Sequence, residues 1–146
     1  MEVSTPRSPD EMRHYFDLRW RVLREPFHQP RGSEWDELDE PGSGAEHAAI
    51  FAETGEAIAA GRVQLNSPEE AQIRYMAVAE GRRGAGLGRL IVRRLEEIAR
   101  HRGAKYVVLN ARDEAVGFYK ALGYEVIGVG PTIFGWVTHS RMSREL

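Results

Sequence analysis

The spacing of apolar residues predicts a chain that alternates helices and strands. After a cap at Ser8 or Asp10, apolar side chains follow helical spacing up to Arg24, and Pro26 ends this first helix. The next segment, Pro26 to Gly44, is rich in proline and glycine and predicts a long loop with one short helix. Loops of this length in compact domains are often functional.

Three strands are predicted to follow the loop. Residues 47–53 and 57–65 are apolar runs separated by Thr54-Gly55-Glu56, a spacing typical of an antiparallel hairpin. A third apolar run covers residues 71–79, after a turn at Asn66-Ser67-Pro68. Sequential strands joined by such tight turns form a meander.

The second half of the chain alternates helix and strand. Apolar residues recur at helical spacing from Leu87 to Ile98, and Gly103 is placed to end that helix in a left-handed conformation. The remaining predicted elements are a strand at 106–109, a helix at 114–122 capped by Asp113, and strands at 124–129 and 133–139. This order implies a mixed sheet flanked by helices.

Composition narrows the classes of function. The 146 residues fit one domain with a single core. A net charge of −2 predicts no binding to nucleic acid or to an anionic membrane surface. The absence of cysteine excludes disulfides, thiolate metal sites and a cysteine nucleophile. With no secretory signal and no apolar run long enough to span a bilayer, we expect a cytoplasmic protein that uses no metal.

The most informative segment is a glycine-rich turn between the third strand and the amphipathic helix. Glycines at 84, 86 and 88 let a ligand approach the backbone closely, and the free N–H groups at the helix start form an anion site. Nearby arginines add positive charge: Arg82, Arg83, Arg89 and Arg93. This is the chemistry of a pyrophosphate cradle, although a glycine-rich helix start that serves only packing is the alternative.

Two other phosphate-binding motifs fit this turn poorly. A P-loop ends in Gly-Lys-Ser/Thr, and Gly88-Arg89-Leu90 has neither the lysine nor the hydroxyl. A dinucleotide fingerprint follows the first strand of a parallel unit, whereas these glycines follow the third strand of a meander. Residues 83–88 do match the R/Q-x-x-G-x-G/A signature of the GNAT superfamily of N-acetyltransferases. The chain resembles that family in its order of elements from about Ala57 to Leu146.

The resemblance implies a GNAT-like α+β (mixed α/β) fold. Its central sheet would be mixed and largely antiparallel, with six to seven strands flanked by about four helices. The whole chain, 1–146, would form a single acetyltransferase domain. Residues 1–56 would be its N-terminal acceptor-side part, and residues 57–146 its acetyl-CoA-binding core.

The resemblance also assigns acetyl-CoA as the cosubstrate and places it on this chain. Main-chain groups of Met76 and Val78 would hold the pantetheine arm, and the Met76 N–H would be the oxyanion donor to the thioester carbonyl. The turn would bind the pyrophosphate through a run of seven residues: Arg83, Gly84, Ala85, Gly86, Leu87, Gly88 and Arg89.

A second segment supports the same resemblance. An asparagine after the strand, Asn110, a Phe-Tyr pair on the next helix and a closing Gly-Tyr are all common in the family. By the same match, Asn110 would bind the pantetheine arm, and Tyr119 would contact the cosubstrate and protonate the departing thiolate as general acid. A packed tyrosine with a satisfied hydroxyl is the alternative. Helical spacing puts Tyr119 at the edge of a core face formed by three side chains: Ala115, Phe118 and Leu122.

The general base stays open. Some family members use a glutamate four residues before the position of Met76, but this chain has Gln72 there, which cannot accept a proton. His139 is a candidate because histidine titrates near neutral pH. A water chain is an alternative, and so are three carboxylates: Glu25, Glu69 and Glu70.

The sequence therefore predicts transfer of an acetyl group from acetyl-CoA to a primary amine of a small molecule or amino-acid derivative. The attack would be direct, because no cysteine can carry the acetyl group. Alternatives are a non-catalytic acyl-CoA-binding sensor or regulatory module, and a domain that reads only nucleotide phosphates. Whether the protein forms a homodimer, which is common in the family, stays open.

Candidates for the acceptor side are two arginines that can pair with an acidic substrate and five aromatic residues: Arg21, Arg24, Trp20, Phe27, His28, Trp35 and Trp136.

Overall fold

The computed structural model describes residues 2–146. Its helices are α1 (Pro9–Leu23), α2 (Leu87–His101) and α3 (Val116–Ala121). Its strands are β1 (Glu46–Phe51), β2 (Ala57–Leu65), β3 (Glu70–Val78), β4 (Tyr106–Arg112), β5 (Glu125–Val129) and β6 (His139–Glu145). Short 3-10 turns lie at Glu25–Phe27, Glu37–Asp39 and Asp113–Ala115.

The strands form one six-stranded sheet in the order β1-β2-β3-β4-β6-β5. β3 and β4 run parallel, and the other neighbours run antiparallel. This confirms the α+β class and the mixed, largely antiparallel sheet. The described residues contain three α-helices, not about four, and Ser4 adds a single antiparallel bridge to Ala49 beside β1.

Helices α1 and α2 cover opposite faces of the meander β1–β3. α1 begins with a capping box, in which the Ser8 hydroxyl accepts from the Glu11 N–H and the Glu11 carboxylate accepts from the Ser8 N–H. It buries Tyr15 and Leu18 against alanines of the sheet, whose small side chains let the helix approach closely. A fully buried leucine contributes about 1.5–3 kcal/mol to folding.

α2 supplies the larger core on the other face. Ile91, Val92 and Leu95 are completely buried against β1, β2 and β3, as the apolar spacing predicted. Gly103 follows the helix with a φ of 89°, the left-handed C-cap expected from the sequence. Within residues 2–146, no helix combines the length and apolarity that a membrane crossing requires.

The prediction for the last strand was wrong. Within that range, residues 133–137 form a short hairpin loop closed by an Ile133–Val137 bridge, with Phe134 at its tip at a φ of 55°. The strand itself, β6, begins at His139 and lies between β4 and β5. Met142 is its one buried residue, so its polar sequence carries no apolar pattern from which a central strand could be recognised.

The predicted orientation of the third helix was also wrong. Asp113 starts a 3-10 turn and does not cap α3, which begins at Val116 without a side-chain cap. A 3-10 turn has three residues per turn, so it shifts the phase of a count made at 3.6. Tyr119 is therefore buried, at 7% exposure, whereas Phe118 is 39% exposed.

The sheet and α2 pack closely at Gly61 in β2. A Cβ added there would lie 2.7 Å from Cγ2 of Ile91, 2.9 Å from Cδ1 of Leu95 and 2.7 Å from the sulfur of Met76. The methionine sulfur is flexible, but the two aliphatic side chains are fully buried and cannot move aside. Gly61 is thus required for the sheet to contact both α2 and Met76.

We predict that Gly61→Ala lowers the free energy of unfolding by about 1–3 kcal/mol, the usual cost of overpacking a core. Chemical denaturation measures this loss. Gly128→Ala is the matched control, because a Cβ on that strand residue meets nothing within 4 Å. Equal stability of the Gly61 and Gly128 variants would contradict the packing described here.

Candidate active site

A cleft opens where β3 and β4 separate. The ladder between these strands covers Glu70–Gln72 against Tyr106–Val108, and beyond it the two strands diverge. The cleft between them has a volume of about 190 Å³. Four residues that the sequence singled out line its walls, although they come from four different elements: Met76, Asn110, Tyr119 and His139.

A bulge in β3 places Met76 in the cleft wall. The register of β2 and β3 shifts between Ala60 and Arg62, and Tyr75 takes a left-handed φ of 57°. Such a conformation is rare for a bulky residue and is strained. The extra residue bends the strand. Met76 then lines the cleft while its side chain packs on the core beneath α2.

Asn110, in β4, presents a buried acceptor that lacks a donor. Its Oδ1 is buried and makes no hydrogen bond to any described residue. A buried amide oxygen without a donor costs about 1–3 kcal/mol. A ligand with an amide N–H would supply that donor, and the pantetheine arm of coenzyme A carries such groups. The side chain therefore fits the role that the family resemblance implied for it.

Tyr119 lies in the wall of the cleft with its ring in edge-on contact with Phe118 and Tyr124, at centroid distances of 4.9 and 5.8 Å. Within residues 2–146, no hydrogen bond joins its hydroxyl to another group, in contrast to the Tyr124 hydroxyl, which donates to Glu96 at 2.8 Å. Burial raises the pKa of Tyr119 above its ordinary value, and the nearby charge of Arg112 opposes this rise only in part. The phenol is protonated at neutral pH and can donate its proton to a ligand.

His139 reaches the cleft from the first position of β6. Its Nδ1 lies 3.0 Å from the carbonyl oxygen of Pro131 and 3.1 Å from that of Val137. Carbonyl oxygens only accept, so Nδ1 carries the hydrogen, and in the neutral ring Nε2 is the free acceptor. The ring is thus held in the tautomer that a general base requires.

The carboxylates considered from the sequence lie outside the cleft. Glu70 accepts hydrogen bonds from Asn66 at 2.7 Å and from the Tyr106 hydroxyl at 3.2 Å, and neither Glu25 nor Glu69 lines the cleft. Gln72 does line it, but cannot act as a base. Among the described cleft residues, His139 is the one histidine, and none is an aspartate or glutamate.

The glycine-rich turn adjoins the cleft at the start of α2. Gly84 and Gly86 have φ values of 83° and 79°, which favour glycine, and Gly86 is the N-cap without a side-chain hydrogen bond. The N–H groups of residues 87–89 lie in the first turn, where a helix offers them no acceptor. The turn is exposed, and within residues 2–146 Arg82, Arg83 and Arg89 form no salt bridge, so the exposed turn is basic.

Two details of this turn differ from what the sequence suggested. Arg93 adds no free charge to it, because Arg93 pairs with Glu96 at 2.8 Å. Gly88 serves packing, since a Cβ there would lie 3.1 Å from the Phe118 ring and 3.5 Å from Cγ2 of Val78. These contacts join the turn, the end of β3 and α3.

The acceptor side differs from the sequence-based list of candidates. Arg24 and Phe27 line the cleft. The Phe27 ring lies 5.5 Å from Phe134 and 5.6 Å from Trp136, both on the hairpin loop. Arg21 pairs with Asp17 at 2.7 Å and does not line the cleft. The contact of Phe27 with the hairpin loop was missed from the sequence because the hairpin was interpreted as a strand. Gly135, between two aromatic residues, is nevertheless typical of a turn.

A buried charged cluster, made up of Arg19, Arg62 and Asp39 with the partly exposed Asp36 at its edge, surrounds the bulge behind the cleft. Arg19 binds Asp39 through two hydrogen bonds of 2.9 Å, and Arg62 binds Asp36 at 2.6 and 3.0 Å. The Arg19 guanidinium lies 3.7 Å from the centroid of the Tyr75 ring. Burial by itself would raise the pKa of Asp39, but the hydrogen bonds and charges of both arginines outweigh it and hold that pKa below its ordinary value.

The profile of the Acetyltransferase (GNAT) family matches residues 11–124, more than half of the chain. The uncharacterized N-acetyltransferase YjcF of Bacillus subtilis is 26% identical over 145 residues, 99% of this chain and 100% of that protein. Glucosamine 6-phosphate N-acetyltransferase 1 of Oryza sativa subsp. japonica is 37% identical over 90 residues, 56% of this chain and 54% of that protein.

Solved structures share the fold over nearly the whole chain. An aminoglycoside 6'-N-acetyltransferase complexed with coenzyme A superposes with a TM-score of 0.82 at 18% identity, over 99% of this chain and 97% of that one. Escherichia coli ElaA superposes with a TM-score of 0.81 at 23% identity, with the same coverage. At these identities the likeness shows the fold.

Proposed function

The chain belongs to the GNAT family of acetyltransferases, and from that membership we propose that it transfers an acetyl group from acetyl-CoA to a primary amine of a small molecule or amino-acid derivative. The observation that carries the proposal is the pairing of two unpartnered polar groups in one cleft, the buried Asn110 Oδ1 and the Tyr119 hydroxyl. One needs a donor and the other has a proton to give. An amide-bearing thioester substrate supplies partners for both.

The proposed reaction is a direct displacement. The amine nitrogen attacks the thioester carbonyl carbon, and the carbonyl oxygen takes the electron pair while the Met76 N–H donates to it. When the carbonyl reforms, the C–S bond breaks and the sulfur leaves as a thiolate, which takes the proton of Tyr119. The amine loses its proton to Nε2 of His139. The products are an acetamide and free coenzyme A.

Cosubstrate binding is proposed to use both parts of the surface. The glycine-rich turn, with Arg83, Arg89 and the free N–H groups of residues 87–89, would hold the pyrophosphate. The diverging edge of β3 at Met76 and Val78, with Asn110 opposite, would hold the pantetheine arm. The neighbour solved with coenzyme A and the relatives named as N-acetyltransferases support this assignment.

A non-catalytic module that binds acyl-CoA is the second candidate. It would use the same turn and the same strand edge. The unpartnered Tyr119 hydroxyl favours the enzyme, because a module that only binds needs no proton donor at this point of the cleft.

We predict that Tyr119→Phe lowers kcat by about 10²-fold or more, because the leaving thiolate loses its proton donor. Acetyl-CoA binding, measured by calorimetry, should be largely retained, because the turn and the strand edge supply most of the proposed contacts. Turnover is followed by release of the free thiol with an accepted amine. Tyr106→Phe is the control, since the Tyr106 hydroxyl bonds to Glu70 outside the cleft. Wild-type turnover by the Tyr119 variant would overturn the general-acid role.

We predict that His139→Gln lowers kcat/KM near neutral pH by about 10²-fold, because glutamine cannot accept the proton of the amine. His101→Gln is the control because His101 is exposed at the end of α2. Wild-type kcat/KM in the His139 variant would assign the base to another group or to water.

A further inference from the structure

The charged groups that line the cleft are all of one sign. Arg24, Arg74 and Arg112 line its walls, and among the described lining residues none is an aspartate or glutamate. Arg74 lies 3.3 Å from Asp36, and Arg112 lies 3.6 Å from the exposed Glu114. Arg24 has no carboxylate within salt-bridge distance in residues 2–146. The cleft therefore contains one cation without a counterion.

Arg24 is held in place without its charge being neutralised. Its Nε and Nη1 donate to the carbonyl oxygens of Ser33 and Leu23, each at 3.0 Å. Its guanidinium lies 5.5 Å from the ring centroids of both Tyr75 and Phe134. Within the described residues, Nη2 makes no hydrogen bond. A guanidinium has five N–H donors in a rigid plane, so this side chain keeps donors free for a ligand.

The position of Arg24 separates it from the region proposed for the cosubstrate phosphates. Arg24 follows the last residue of α1 and reaches the cleft beside Phe27 and the aromatic hairpin loop, whereas the glycine-rich turn leads into α2 and none of its residues 82–89 lines the cleft. Burial lowers the pKa of Arg24, and the neighbouring charges of Arg74 and Arg19 act in the same direction, whereas Tyr75 opposes this shift. An incoming anion would relieve both effects.

We propose that the acceptor amine of this enzyme carries an anionic group, a carboxylate or a phosphate, and that Arg24 binds that group and selects for it. This inference rests on the proposed function and names the substrate class of the same site. The fork of a guanidinium matches carboxylate and phosphate oxygens and forms strong charge-assisted hydrogen bonds with them. The three arginines also repel a polycationic amine, so the cleft selects against that class as well as for an anion.

The size of the cleft fits a small acceptor. Pockets for drug-sized ligands have volumes of about 300–1,000 Å³, and this cleft has about 190 Å³. Apolar side chains such as Leu23, Ile73 and Val137 complete its walls. They leave room for a compact molecule with an amine at one end and an anion at the other.

The first test compares amines that differ in charge and little else. Amino acids are paired with their carboxamides, a phosphorylated amine with its unphosphorylated parent, and a polyamine is added. Release of the free thiol from acetyl-CoA gives kcat/KM for each. We expect kcat/KM to be about 10- to 100-fold higher for the anionic member of a pair, as a hydrogen-bonded charge provides. Comparing the amino-acid pairs with the phosphorylated pair shows whether a carboxylate or a phosphate is preferred.

The second test replaces Arg24, the residue proposed to bind the anion. Arg24→Gln should lower kcat/KM for the anionic amine by about 10- to 100-fold and leave its neutral partner unchanged, whereas Arg24→Lys should restore part of the difference. Arg21→Gln is the matched control, three residues earlier on the same helix and paired with Asp17 outside the cleft. A merely structural role for Arg24 would lower both members of a pair equally.

The outcomes distinguish this inference from the proposed function. If neutral or polycationic amines are acetylated as well as anionic ones, or if Arg24→Gln weakens acetyl-CoA binding instead, the inference is overturned while the transferase stands. If no amine is acetylated, the role of Arg24 is tested by the dissociation constants of each amine pair, measured by calorimetry. The anionic member must bind more tightly than the neutral one, and Arg24→Gln must abolish the difference. Failure to bind acetyl-CoA overturns the proposed function separately.

Discussion

The left-handed backbone of Tyr75 is the constraint on which the rest of the site depends. A φ of 57° in the middle of a strand bends β3 away from β4 and opens the cleft between them. Gly61 makes the bend possible, because a side chain at this position of β2 would collide with Met76 and with α2. A strand that ran straight would continue its ladder beyond Gln72, and the edge proposed for the pantetheine arm would be occupied by β4.

The buried charged cluster behind Tyr75 holds this residue in its strained conformation. Arg19 lies over the Tyr75 ring, and the carboxylates that pair with Arg19 and Arg62 come from the long loop. Burying such ions has a desolvation cost that only good geometry and full pairing offset. The bidentate contacts offset part of that cost and fasten the loop to the sheet, while the buried Nε of Arg19 has no hydrogen-bond partner among the described residues. The same loop supplies the Ser33 carbonyl that positions Arg24.

The parts of the fold that were predictable from sequence are those in which local pattern and burial agree. α2 has one continuous apolar face, the meander has turn residues between apolar runs, and Gly86 and Gly103 bound α2 at its two ends. β6 could not be recognised because it is a central strand with polar side chains, such as Arg141 and Arg144, that pair with carboxylates elsewhere. The 3-10 turn before α3 likewise changed which face of the helix carries Tyr119.

In the candidate site too, some residues could be predicted from the sequence and others could not. Met76, Asn110 and Tyr119 could be named in advance because the motifs of the family resemblance mark them, and His139 because of its residue type alone; the structure places all four around one cleft. The arginines that set the charge of that cleft come from a helix end and two strands, and no local motif connects them. Only the tertiary structure shows that Arg24 faces the cleft without a counterion while Arg21, three residues away, is already paired.

The most direct test of this account is calorimetric titration of the protein with acetyl-CoA, with ADP in parallel. The account predicts micromolar binding of acetyl-CoA and much weaker binding of ADP, because the pantetheine arm would add contacts along β3 that ADP cannot make. Equal binding of both would leave a module that reads phosphates alone. No binding of acetyl-CoA by folded protein would contradict the account and leave the glycine-rich turn a structural feature.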